Sequence, residues 1–302
     1  MGSYRHAGLF LVLSLFWGAS FMAIRVGLRD IPPVLFAAIR YDVAAVLMLA
    51  YAAAATDDWR PRTRTDWTGV VVSGLLIIAC YNAFLFVGQQ RVTSGVAAIL
   101  IAMNPILATG FSRALLPDER LTLLGLGGLA LGFVGVGLVA TPGASGLVGA
   151  DVIYPGFVLL AAVCVALGSV LVQRVDSGIS AEGMVAWSTA LGALVLHATS
   201  VWLPSESVAA VAVTTEAILS VGYLAVFASA IGYVIYFHLL GELGAIEINL
   251  VSYAVPVFAA LSGWVVLGET LTASAVAGFL LIFVGFVVIK REAIATEVRL
   301  LG

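Results

Sequence analysis

The sequence predicts an all-α integral membrane protein with ten transmembrane helices, arranged as two inverted five-helix repeats. Three observations predict this fold: the composition, the length of the apolar runs and an internal repeat. Of the 302 residues, 62% are hydrophobic and only 10% are charged, and the mean hydropathy is +1.12. A soluble domain carries roughly 25% charged residues, so these few charges cannot cover a surface that faces water. The apolar residues are therefore expected to face lipid.

Ten apolar runs follow one another along the chain. Each has roughly the 18–25 residues needed to cross about 30 Å of hydrocarbon at about 1.5 Å per residue. Helices are expected, because backbone groups in lipid must find hydrogen-bond partners within their own segment. The connections are short and polar, and they leave no room for a soluble domain. The approximate runs are residues 8–27, 34–54, 67–89, 94–116, 122–141, 155–174, 182–203, 215–240, 246–267 and 273–290.

The distribution of basic residues predicts the orientation, since cytoplasmic loops carry an excess of lysine and arginine. With the amino terminus inside, ten of the 14 basic residues fall in inner loops and tails. Three fall outside, namely Arg25, Arg29 and Arg91, and Arg40 lies within a span. Both termini are therefore expected in the cytoplasm, as an even number of spans requires.

An internal repeat at an offset of about 150 residues relates the two halves of the chain. Glu119 and Glu269 differ by 150, and the helix prolines that precede them differ by 151. The repeat predicts a first five-helix unit over residues 1–145 and a second over residues 146–302. Because five is an odd number, the second unit starts from the opposite side of the membrane. Such inverted pairs are a common plan of secondary transporters.

Four motifs are spread along the chain. The first helix carries residues 16–21, Phe-Trp-Gly-Ala-Ser-Phe, and the second carries residues 32–41, Pro-Pro-Val-Leu-Phe-Ala-Ala-Ile-Arg-Tyr. Mid-span prolines in the fourth and ninth helices precede a Glu-x-Leu-Thr turn, and the fifth and tenth helices share a glycine pattern. In these motifs the chain resembles the ten-helix EamA-type members of the drug/metabolite transporter superfamily. Within it, the chain is most similar to the bacterial amino-acid exporters, including the aromatic amino acid exporter.

The resemblance implies a function. It implies a secondary transporter of the bacterial inner membrane that works by alternating access and exports small metabolites, first among them L-amino acids, including aromatic ones. Its partners would be the lipid bilayer and a small-molecule substrate, with a homodimer as a further option. The nearest alternative is an exporter of the same fold for drugs, nucleobases or sugar derivatives. A membrane-embedded enzyme or a passive channel is the alternative of another class.

Other function classes lack their signatures in the sequence. There is no Walker-type glycine loop, no catalytic Ser–His–Asp or HExxH cluster, and no recognisable set of metal ligands. Cys80 and Cys164 are too few and too isolated in the sequence for a disulfide framework. Lys290 is the single lysine, so there is no basic cluster for nucleic acid. We therefore expect no enzyme activity, no cofactor, no metal and no nucleic-acid partner.

Polar and aromatic residues within spans are the candidates for a substrate cavity, because polar side chains in a membrane usually face the protein interior. Rings spaced three residues apart share a helix face and can stack on an aromatic ligand or hold an ammonium group. Interfacial anchoring is the alternative for the tyrosines and tryptophans near span ends. The candidate cavity-lining residues are Trp17, Ser20, Tyr81, Asn82, Phe84, Asn104, Trp187, Tyr233, Tyr236 and Tyr253.

Two prolines and three charged residues complete the candidate site. Pro105 and Pro256 lie mid-span, where proline removes a backbone donor and bends a helix, so they are candidate gating kinks or fixed packing kinks. Arg40, Asp42 and Glu247 are candidate charges for ion coupling or for structure. Arg40 and Asp42 are spaced i, i+2 and do not share a face, so each needs another partner. For Arg40 we expect a structural salt bridge or snorkelling to the interface, with a part in transport as the alternative.

Glycines at matching positions of the fifth and tenth helices indicate a scaffold. Gly128 and Gly278 differ by 150, as do Gly135 and Gly285. Small residues let helix backbones approach closely in a membrane. We expect these four to support close packing in a scaffold or in a dimer contact rather than substrate contact.

Overall fold

Ten helices make up most of the computed structural model, which describes residues 2–115, 123–140, 153–243, 248 and 251–301. Seven of the helices are long and apolar enough to cross a membrane, and the described parts of the other three form shorter apolar helices. No strand occurs among the described residues. The helices are α1 (Gly2–Gly27), α2 (Pro33–Ala55), α3 (Arg64–Gln89), α4 (Ser94–Leu115), α5 (Leu123–Ala140), α6 (Ile153–Val175), α7 (Ala181–Trp202), α8 (Thr215–Leu243), α9 (Val251–Leu267) and α10 (Ala273–Leu301). The expected all-α membrane fold is confirmed.

Matched helix pairs join the two halves. Helix α1 packs on α8 and α9, and α6 packs on α3 and α4, while α2 pairs with α7 and α5 pairs with α10. When each helix number is shifted by five, every pair corresponds either to itself or to another pair of this set. Because each unit has five helices, α1 and α6 start on opposite faces. The boundary expected near residue 145 lies outside the described residues.

Glycines bring the backbones of α5 and α10 into contact. A Cβ added to Gly135 would lie 2.6 Å from the Gly278 carbonyl oxygen, and one added to Gly278 would lie 2.5 Å from the Gly135 carbonyl oxygen. A Cβ on Gly285 would lie 2.6 Å from the Gly128 carbonyl oxygen. Protein interiors do not tolerate such overlaps without a shift of the backbone. The glycine scaffold expected from the sequence is therefore confirmed, and its two surfaces belong to the same chain.

Helices α3 and α8 each contain a π-helical segment at matching positions of the repeat. The segments are Ser73–Cys80 and Tyr223–Ile231, whose starts differ by 150 residues and whose ends differ by 151. Beyond the second segment, the Gly232 N–H reaches back to the Phe227 carbonyl. The indole Nε1 of Trp17 donates to the Ala228 carbonyl at 3.0 Å. The wide turn of α8 is therefore a point at which α1 docks. Segments of this kind are rare and frequently lie at functional sites.

The two mid-span prolines have different structural effects. Helix α4 is interrupted at residues 102 and 103, between Ser94–Ile101 and Asn104–Leu115. Pro105 is the second residue of the later segment, where a missing N–H breaks no helical hydrogen bond. Pro256 lies inside α9, which continues through it. Pro105 therefore follows a break in its helix, whereas Pro256 lies within an unbroken one.

A buried carboxylate holds the start of α2. Glu206, in the connection between α7 and α8, is 6% exposed, and its Oε2 accepts from the N–H groups of Val34 at 3.0 Å and Leu35 at 2.9 Å. Helix α2 begins at Pro33, which has no N–H, so Val34 and Leu35 carry the first N–H groups that the helix offers. The negative charge also opposes the positive end of the helix dipole. Sequence patterns do not predict this contact, because the two segments lie far apart along the chain.

Candidate functional site

Side chains from four helices meet at the contact between the two halves. We call them the central cluster, and six of its seven members were predicted cavity residues or charges. The ring of Trp17 lies 6.2 Å from that of Tyr233 and 5.6 Å from that of Tyr236. Tyr233 is also close enough to Arg40, Tyr41 and Tyr81 to interact with them electrostatically. The central cluster comprises Trp17, Arg40, Tyr41, Tyr81, Asn82, Tyr233 and Tyr236.

Arg40 is the buried cation of the central cluster. Arg40 is 8% exposed, and its Cζ lies 4.2 Å from the ring centroid of Tyr41 and 5.7 Å from that of Phe86. The Nε atom is buried without a hydrogen-bond partner, and no ion pair joins Arg40 to a described residue. The structural salt bridge or snorkelling expected for Arg40 therefore stays a prediction, because no described residue pairs with it and Glu247 lies outside the described residues. The aromatic rings interact with the guanidinium instead.

Asp42 faces away from Arg40. Its Oδ2 lies 2.7 Å from Nε2 of His197 on α7, and both side chains are partly exposed on the outside of the α2–α7 pair. This divergence follows from the i, i+2 spacing, which puts the two residues on different faces of α2. Asp42 is thus separated from the central cluster, and its partner His197 was not among the residues predicted from the sequence.

The amide of Asn82 is oriented by two acceptors. Its Nδ2 donates to the Tyr41 hydroxyl oxygen at 3.0 Å and to the Ile78 carbonyl at 2.7 Å. A carbonyl can only accept, so the nitrogen and not the oxygen of the amide must face Ile78. Asn82 Oδ1 is consequently left buried without a hydrogen-bond partner among the described residues.

Two predicted cavity residues pack elsewhere. Phe84 stacks on Phe157 of α6, with ring centroids 6.0 Å apart. The ring of Trp187, near the start of α7, lies 6.2 Å from that of Trp59 and 5.6 Å from that of Trp67. These two therefore join helix contacts outside the central cluster.

The remaining predicted residues also lie apart from the central cluster or are bonded locally. Tyr253 packs against Phe283 and Phe286 of α10, with centroid distances of 5.4 and 4.6 Å. The Ser20 hydroxyl donates to the Trp17 carbonyl of its own helix. Asn104 lies at the break of α4, and its Oδ1 is buried without a partner among the described residues. Glu247 lies outside the described residues.

An ion pair ties four chain segments together at the face where α1 ends. Arg25 Nε lies 3.3 Å from Glu269 Oε1, and Arg25 Nη1 donates to the carbonyls of Gln89 at 2.8 Å and Gln90 at 3.0 Å. Glu269 Oε2 accepts from the Ser94 N–H at 2.8 Å. We call this group the latch. The Glu269 side chain is only 11% exposed, so water screens the pair less than it screens a surface salt bridge.

The turn after α9 places Glu269 in the latch. Gly268 has a φ of +67°, a left-handed conformation that glycine adopts without a Cβ clash, and its N–H donates to the Trp264 carbonyl at 3.0 Å. Gly263 lies directly against the Glu269 carboxylate, where a Cβ would overlap with Oε2. The left-handed turn at Gly268 and the missing side chain of Gly263 thus allow Glu269 to reach the latch.

A polar cavity of about 580 Å³ lies beside the latch on the same face. Three arginines and one glutamate line it, so its charge is positive. Its lining residues are Arg25, Leu28, Arg29, Gln90, Arg91, Tyr154, Leu267 and Glu269. The three arginines are those that the charge distribution assigned to the outer side.

The two cysteines are neighbours between α3 and α6. Both are free thiols, and each lies close enough to the other to affect it electrostatically. Their separation in the sequence had suggested that the two cysteines are isolated from each other. The contact joins the first half of the chain to the second, and Cys80 is the last residue of the π segment of α3.

A ten-helix membrane bundle with inverted halves, a buried polar cluster between them and an ion pair across one end has the features of a membrane transporter. The chain belongs to the EamA-like transporter family, whose model matches residues 6–141 and 153–291. The resemblance found in the sequence motifs is therefore confirmed.

Two relatives and one solved structure illustrate the family. The Uncharacterized transporter YvbV of Bacillus subtilis is 28% identical over 99% of this chain and 95% of its own length. The "Probable amino-acid metabolite efflux pump" of Salmonella typhimurium is 30% identical over 92% of each chain. A crystal structure with 20% identity superposes with a TM-score of 0.65 over 97% of this chain and 99% of its own, which shows the fold alone.

Proposed function

We propose that the protein is a secondary transporter that exports small metabolites, chiefly L-amino acids including aromatic ones, across the bacterial inner membrane. Both termini would lie in the cytoplasm and the latch would face outward. The observation that supports this most is the central cluster, which offers a cation, an unpaired amide oxygen and aromatic rings at the contact between the halves. The name of the Salmonella relative supports the amino-acid class.

The latch and the central cluster suit transport by alternating access. In this conformation the latch joins α1 and the α3–α4 connection to the turn after α9, and so ties the two halves at the outer end. Trp17 and Tyr233 come from different halves, so a relative movement of the halves would change the central cluster and the latch together. Export then requires that the latch opens while the cytoplasmic end closes.

Amino-acid counterflow in proteoliposomes tests the proposal. Vesicles loaded with one unlabelled amino acid are expected to accumulate labelled tracer saturably, across a panel of aromatic, aliphatic and charged amino acids. Tyr81→Ala should lower kcat/KM by about 2- to 10-fold, since a contact between aromatic rings contributes about 0.5–1.5 kcal/mol. Trp187→Phe is the matched control and should leave kcat/KM unchanged, because Trp187 packs outside the central cluster. Absence of counterflow with every amino acid, in folded protein, would remove the amino-acid proposal.

A further inference from the structure

We propose that Arg40 binds the carboxylate of the transported molecule and that Asn82 Oδ1 accepts from its ammonium group. The carboxylate is then the required feature of a substrate, and the ammonium group is a secondary one. This inference rests on the proposed function, and it assigns the individual groups of the central cluster to the individual groups of the substrate.

The first step of the argument is the charge on Arg40. A buried cation is costly unless an anion compensates it. Every buried carboxylate that the structure describes is already engaged elsewhere. Asp66 accepts from the N–H groups of its own helix start, Glu206 from those of α2, and Glu269 pairs with Arg25. Among the described residues no anion is left for Arg40.

The second step is the availability of its donors. The ring of Tyr41 and, farther away, the ring of Phe86 contact the guanidinium, but no described residue accepts a hydrogen bond from it. Guanidinium donors form a rigid fork that matches a carboxylate with two parallel hydrogen bonds. A substrate carboxylate would therefore supply both the missing charge and the missing acceptors.

The third step is the position of Asn82. Tyr41 connects it to Arg40, because the Tyr41 ring contacts the Arg40 guanidinium while the Tyr41 hydroxyl accepts from Asn82. The amide nitrogen is fully used, and Oδ1 needs a donor. An ammonium group a few bonds from the carboxylate would supply it. Tyr81 and Tyr233 are both close enough to Arg40 to interact with it electrostatically, and their rings are suited to the remainder of an amino acid.

Ligand-induced thermal stabilisation of the purified wild-type protein tests the assignment without any transport. The probes are phenylalanine, its amide, the corresponding amine without a carboxylate (phenethylamine), and the acid without an amino group (3-phenylpropionate). We expect phenylalanine to bind most tightly and the acid to bind more weakly. The amide and the amine should bind about tenfold to a hundredfold more weakly than phenylalanine, since each loses charge-assisted hydrogen bonds to a buried partner.

Two variants locate the effect. Arg40→Lys keeps the charge but loses the planar fork of donors, so it should weaken the binding of phenylalanine and of 3-phenylpropionate. Arg40→Gln should remove the preference for these two carboxylates over the amide. Arg29→Gln, at an exposed arginine of the outer cavity, is the control and should retain the wild-type order of affinities. Tight binding of the amine by the wild type, or an unchanged order in folded Arg40→Gln, would overturn the assignment. If amino-acid counterflow fails but 3-phenylpropionate binds in an Arg40-dependent manner, the proposed amino-acid substrate is wrong and the carboxylate assignment stands.

Discussion

Arg25→Ala is expected to open the end of the transporter that the latch joins, which we propose to be the outer one. The substitution removes the ion pair with Glu269 and two hydrogen bonds to the α3–α4 connection, and it leaves a largely buried carboxylate without its cation. A hydrogen bond to a charged group contributes about 1.5–3 kcal/mol, so the balance between closed and open states should shift by about tenfold to a hundredfold. The latch is thus predicted to determine which conformation dominates in the absence of substrate.

Labelling of a single cysteine measures this shift. Phe21 lies one turn below Arg25 on the same face of α1 and is 4% exposed. In protein with Phe21→Cys and both native cysteines replaced by alanine, Arg25→Ala should speed labelling by a maleimide that does not cross membranes. Arg91→Ala is a close control, because Arg91 lines the same cavity but is exposed and forms no ion pair with a described residue. Equal labelling rates in the two variants would show that the ion pair does not hold the outer end closed.

Gly135→Leu is expected to prevent correct folding. A Cβ at Gly135 already overlaps the Gly278 carbonyl, which belongs to the backbone and cannot move aside as a flexible side chain does. Overpacking of this kind should lower the free energy of unfolding by about 3 kcal/mol or more. Thermal unfolding and size-exclusion chromatography of the purified protein report the loss.

Gly127→Leu is the matched control, since it lies on the same helix. A Cβ at Gly127 meets nothing within 4 Å, so the larger side chain should be tolerated. A similar loss of stability in both variants would mean that bulk anywhere on α5 is harmful, and that the contact between α5 and α10 is not the cause.

Features that repeat along the chain could be predicted from the sequence. The length of the apolar runs gave the helices, and the matched glycines gave the contact between α5 and α10. Trp17, Tyr81, Asn82 and Tyr233 were found because polar and aromatic side chains within spans tend to face the interior. The same rule also selected Trp187, whose ring packs among other rings, because residue type does not distinguish a cavity wall from a packed contact.

Partners distant in the sequence could not be predicted. The spacing of Arg40 and Asp42 showed that their side chains diverge. Only the fold shows that Asp42 faces His197 and that Arg40 faces aromatic rings. Glu269 was noticed as a repeat position, yet the repeat gave no reason to join it to Arg25. Periodicity determines the face of a helix on which a residue lies, while the identity of the opposing residue depends on how the helices pack.

The paired π segments provide a way to turn side chains without displacing whole helices. A π segment contains one extra residue compared with an α-helix. If the segment became α-helical by releasing that residue, the part of the helix beyond it would rotate by about 100° about the helix axis. Tyr81 and Asn82 follow the segment of α3 directly, and Tyr233 and Tyr236 follow that of α8. The central cluster could thus be dismantled by two local twists while the contact between α5 and α10 stays fixed. Spin labels placed at successive positions after each segment would record such a twist as an exchange of buried and accessible sites on adding substrate.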